Sequence, residues 1–122
     1  MLSWGTMIYG AALSALLAAV LVAAAVRPRR PAVIATAAIG ALLGPLAWNA
    51  ILRAAHGAQF FTDAPVAVLP ASWQDTGSGV FTIAVTALAL GLGPLAAGTG
   101  RRLAATAALA GLAAFLIDVY LY

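Results

Sequence analysis

Apolar residues in this chain gather into four long runs: about Trp4 to Val26, Ala32 to about Leu52, about Val80 to Gly98, and Leu103 to Tyr122. A helix rises about 1.5 Å per residue, so about 20 apolar residues cross a hydrocarbon core of about 30 Å. Each run is long enough, and the expected architecture is all-α: a polytopic integral membrane four-helix bundle. Residues 1–122 read as a single transmembrane domain, with a long outer loop over residues 54–79 between the second and third helices. No basic segment precedes the first run, whereas Arg27, Arg29 and Arg30 follow it directly. A cleaved signal peptide has the opposite charge order and a shorter apolar core, so the first run reads as a retained helix. Pro31 suits the first turn of the second helix, where its missing N–H costs nothing.

Composition strengthens this reading. Apolar side chains make up 65% of the residues and charged ones 7%, against about a quarter charged in soluble domains. Six Arg and three Asp cannot cover a water-facing surface, so the expected solvent is lipid. The absence of Cys removes disulfides, thiol nucleophiles and thiolate metal sites. Arg is the sole strong base and Ala is abundant, a usage expected of a GC-rich bacterial genome.

The net charge of +3 is a topology signal rather than a nucleic-acid patch, because five of the six Arg fall in two short loops. Placing both loops in the cytoplasm of a plasma membrane puts the N- and C-termini outside. Arg53, His56, Asp63, Asp75 and Asp118 then all lie on the outer side. Trp4, Trp48, Trp73, Tyr120 and Tyr122 fall near that same interface, where amphipathic rings settle, and an isolated Trp reads as a lipid-facing anchor.

Small residues recur at helical spacing: Gly40 and Gly44; Gly10, Ser14 and Ala18; Ala87 and Gly91; Ala107 and Gly111. Such pairs let helices approach closely where water supplies no driving force, and together they predict a tight bundle. Pro45 and Pro94 are candidate kinks, each removing a backbone donor from an apolar run, at the cost of a partner for the carbonyls of Ala41 and Leu90.

The outer loop is half apolar, with Phe60, Phe61, Val66, Val68 and Leu69 between its turns, and is expected to lie along the interface or fold over the bundle. Asp63 can cap a short helical turn, and Asp75, Thr76 or Ser78 can cap the third span. Asp118 lies about 6 Å inside the end of the fourth helix, level with Arg53 on the second, so an Arg53 to Asp118 ion pair is predicted. Asn49 precedes Arg53 by one turn and His56 follows at i+3, so the three share a face if the helix continues that far. Asn49, Arg53, His56, Asp63, Asp75 and Asp118 thus form the candidate outer-side polar cluster.

No familiar chemistry attaches to that cluster. Its spacing matches no metal motif, so no metal and no cofactor are expected, and a single His excludes bis-His haem ligation within one copy. Thr76-Gly77-Ser78-Gly79 is not a Gly-x-Ser-x-Gly elbow, and no catalytic residue is assigned. Three functions fit. First is a non-enzymatic accessory or assembly subunit of a larger membrane complex, motivated by small size and close-packing spacings. Second is a homo-oligomeric small transporter or channel using the polar cluster. Third is an outer-leaflet lipid-modifying enzyme with His56 as its general base. The expected partners are the bilayer and other membrane subunits or further copies of the chain, not nucleic acid.

Overall fold

The computed structural model describes residues 3–26, 30–57, 71–96 and 98–121. Four helices account for nearly all of them: α1 (Trp4–Ala25), α2 (Pro31–Ala54), α3 (Trp73–Leu92) and α4 (Gly100–Leu121). Each is long and apolar enough to cross a membrane. α1 packs against α2 and α4, α3 packs against the same two, and α2 meets α4 across the diagonal. This is the expected helix bundle. Its outer surface is apolar, with Ile8, Leu16, Leu88 and Leu92 all more than half exposed, as a lipid-facing surface requires.

Besides α4, which starts at Gly100 rather than Leu103 and so takes Arg101 and Arg102 out of the expected loop and into its first turn, two boundaries differ from the sequence expectation, both on the third helix. It starts at Trp73 rather than near Val80, because Ser72 and Asp75 form a capping box: Asp75 N–H donates to Ser72 Oγ (3.2 Å) and Ser72 N–H to Asp75 Oδ2 (2.8 Å). The last quarter or so of the expected outer loop, residues 73–79, is therefore helix, and its cap is Ser72. Asp75 completes the box from the third helical position, while Thr76 and Ser78 lie further inside. At the other end α3 stops at Leu92, and Pro94 sits in the following turn, where Leu95 N–H reaches back to Leu90 O at 2.9 Å. Pro94 is thus a helix stop and not a kink. Pro45, by contrast, lies inside α2 and is buried.

Glycine sets the α2–α3 contact. A Cβ on Gly44 would stand 2.7 Å from Thr82 Cα, and one on Gly40 would stand 3.3 Å from Thr86 Cα while colliding with the Thr86 hydroxyl. The glycine hydrogens point at the two threonine oxygens, the arrangement of Cα–H···O contacts between closely packed helices. The Gly40–Gly44 spacing therefore does what it predicts. Gly79 and Gly111 play the same part between α3 and α4, where a Cβ on Gly111 would lie 2.9 Å from Gly79 O. Toward the Arg-bearing end the interior is filled by small apolar side chains, among them Ala18, Val22, Ala37, Ala41 and Ala110.

Candidate functional site

At the opposite end the core changes character. Asn49 on α2, Gln74 and Ser78 on α3 and Asp118 on α4 are all buried, between 0 and 3% exposed, and they meet one another. Gln74 is the hub. Its Nε2 lies 3.0 Å from Asp118 Oδ2, 3.3 Å from Asn49 Oδ1 and 3.3 Å from Ser78 Oγ, so one amide joins three helices. Asn49 Nδ2 donates to Pro45 O at 2.8 Å, which turns its oxygen toward Gln74. Trp48 closes the group from the side: its Nε1–H donates to Gln74 O at 3.0 Å, and its ring sits 6.2 Å from that of Phe81. Trp48 is thus part of the site's wall and not a simple lipid-facing anchor.

The sequence explains the placement. Gln74, Ser78, Thr82 and Thr86 recur every fourth residue, so they form one stripe along α3, and all four are buried. Starting the helix at Trp73 is what brings Gln74 onto that stripe. The capping box fixes the start, and so positions the hub.

Of the expected cluster, the structure joins Asn49 and Asp118, and it does so through Gln74. Asp75 is buried beside them but is occupied as a cap by the Ser72 N–H. Arg53 does not pair with Asp118: it is exposed, with its guanidinium carbon 5.1 Å from the ring centre of Trp4. The reason is helical phase. Asn49 and Leu52 occupy the inward face of α2, and Arg53 follows at its edge in the last turn.

His56 also stands apart. α2 ends at Ala54, and His56 takes a left-handed conformation (φ 53°) in a turn where Gly57 N–H donates to Leu52 O at 2.8 Å and His56 N–H to Arg53 O at 3.4 Å. This is a Schellman closure, with His in the position that Gly usually fills. His56 is exposed and stands past the end of the helix that carries Asn49. Asp63 lies outside the described residues, as do Phe60, Phe61, Val66, Val68 and Leu69. Among the described residues, no three His, Cys, Asp or Glu side chains converge as a metal site.

Gln74 was not singled out by sequence reasoning, and Ser78 was assigned only as a cap. The signals that point to them are the Ser-x-x-Asp spacing of Ser72 and Asp75, which marks the helix start, and the four-residue period that follows. A second feature lies on the lipid-facing side of α3 and α4: an apolar groove of about 300 Å³ lined by Gly79, Ile83, Ala108, Gly111, Leu112 and Phe115.

Compared with protein-family models, curated proteins and solved structures, the chain matches none.

Proposed function

We propose that the protein is a small transporter or channel, working as a homo-oligomer in a plasma membrane, with Asn49, Gln74, Ser78 and Asp118 as its site. The observation that carries this reading is Asp118, a carboxyl 1% exposed inside a membrane-spanning helix and held by a neutral amide. An ionisable group in such a place costs a few kcal/mol, and in membrane proteins it commonly marks an ion or substrate pathway. Asn at this position would serve packing equally well without the charge. Both Arg loops in the cytoplasm place the site near the outer face, by the positive-inside rule. The apolar groove between α3 and α4 suits contact with a further copy of the chain.

The test is ion flux in proteoliposomes under imposed sodium, potassium and proton gradients, comparing the wild type with Asp118→Asn and Gln74→Leu. Flux lost in both variants is expected. Flux unchanged in both overturns the assignment. The same groove favours a second reading, an accessory subunit that seats a partner's helix. Native mass spectrometry of the protein extracted from its own membrane separates the two: a stoichiometric foreign subunit supports the accessory role, and a discrete homo-oligomer supports transport.

A further inference from the structure

The hydrogen bonds of the cluster leave one carboxylate oxygen out. The Asn49 amide is oriented by its bond to Pro45 O, since a carbonyl can only accept, and this fixes Gln74 Nε2 as the inward donor. That nitrogen carries two protons but faces three oxygens. They are Asp118 Oδ2, Asn49 Oδ1 and Ser78 Oγ. Two protons suffice for Asp118 Oδ2 and Asn49 Oδ1, and the Ser78 hydroxyl is itself a donor. Asp118 Oδ1 is buried and makes no hydrogen bond. When ionised, Asp118 thus holds a negative charge among neutral side chains, with one of its oxygens buried and without a hydrogen bond.

We infer that this cluster, read as the transport site, is a proton-binding site whose acceptor is Asp118. The proton adds to a lone pair of Asp118 Oδ1, forming one O–H bond and neutralising the carboxylate, with nothing else consumed. The charge on the unpartnered oxygen is removed, and with it the cost of burying a carboxylate. A hard metal cation fits less well, because it needs about six oxygen ligands and space between them, whereas these side chains are closely packed. A proton needs no cavity. Asp118 lies about one helical turn from the end of α4, so a local opening of that end is enough to admit it.

The charged and titratable groups around it are few. On α3, Asp75 is buried and accepts from the Ser72 N–H in the capping box. On α2, Arg53 is exposed over Trp4, and His56 is exposed in the turn that follows. On α4, Tyr120 is exposed, and the buried face of the outer half of α1 offers Met7, Gly10, Ala11 and Ser14, none of which titrates. Trp48 supplies a reporter, because its indole is bonded to Gln74, which in turn holds Asp118.

The experiment is a pH titration of the full chain in lipid nanodiscs, followed by difference infrared spectroscopy. It is paired with Trp48 fluorescence in a chain whose Trp4 and Trp73 are replaced by Phe. The expected result is a carboxylic-acid carbonyl band that appears and disappears with pH, is lost in Asp118→Asn, persists in Asp75→Asn, and moves with the Trp48 signal. Gln74→Ala keeps the carboxyl and is expected to shift the midpoint, which tests the site should Asp118→Asn fail to fold. A band that survives in folded Asp118→Asn, a midpoint unmoved in Gln74→Ala, or a Trp48 response to sodium or potassium at constant pH would overturn the proton site. Flux is read separately. A titrating Asp118 without flux removes the transport reading and leaves the proton site standing, whereas flux without an Asp118 band does the reverse.

Discussion

Gln74 and Asp118 are joined by a 3.0 Å hydrogen bond across the α3–α4 interface, so a neutral amide, not an arginine, holds the buried carboxyl. Removing the amide leaves Asp118 and Asn49 Oδ1 without their donor in a region that water does not reach. Gln74→Leu is therefore expected to lower stability by about 1–3 kcal/mol, the desolvation cost of a stranded polar group. The double variant Gln74→Leu with Asp118→Leu removes donor and acceptor together and should recover much of that loss. Equilibrium unfolding in mixed detergent micelles measures the cycle. Additive losses would show that the two side chains are not coupled.

The α2–α3 contact predicts a graded effect of one methyl group. Gly44→Ala places a Cβ 2.7 Å from Thr82 Cα, which is backbone and cannot turn aside, so the helices must separate. A loss of about 1–3 kcal/mol is expected from such overpacking. Gly5 has nothing within 4 Å of an added Cβ, so Gly5→Ala should be neutral or slightly stabilising through helix propensity. Thermal unfolding of the two variants side by side checks both signs.

Ser72 sets where α3 begins, and with it the register of Gln74. Ser72→Ala removes the oxygen that accepts the Asp75 N–H and is expected to cost about 1 kcal/mol, the usual loss for a cap. If fraying of the first turn also displaces Gln74, the Trp48 fluorescence should change in this variant although Ser72 is not bonded to Trp48. An unchanged Trp48 signal would separate the cap from the site.

The contrast between α2 and α3 shows what could be read in advance. Apolar run length located all four helices, and Gly40 with Gly44 located a close contact, because both signals act along a single helix. The start of α3 was placed late because Gln74, Asp75, Thr76 and Ser78 form a polar stretch that resembles a loop. Gln74, Asp75 and Ser78 are buried in the bundle and only Thr76 is exposed, so the usual meaning of polarity is reversed there. Arg53 and Asp118 invited pairing by charge and depth, but depth does not give rotation about the helix axis. Asn49 points inward at one turn's distance and Arg53 does not. Which side chain serves as hub depends on three helices at once, and Gln74 has no local mark beyond its place in the four-residue stripe.

Membrane orientation gives a further prediction, and Arg101 and Arg102 supply its argument. They stand in the first turn of α4, where the helix macrodipole disfavours positive charge. Arg30 directly precedes α2, and the up-and-down course of the helices brings it to the same end of the bundle as Arg101 and Arg102, with Arg27 and Arg29 next to it in sequence. Retention of positive charge on the cytoplasmic side accounts for both groups at once. Reporter fusions at Pro31 and at Gly100 should therefore give cytoplasmic signals, that is, a fluorescent green fluorescent protein and an inactive alkaline phosphatase. Replacing all five Arg by Gln should weaken or scramble that preference while leaving the Gln74 to Asp118 end of the bundle untouched. Active phosphatase at both sites in the wild type would invert the orientation, and the proton site would then open to the cytoplasm.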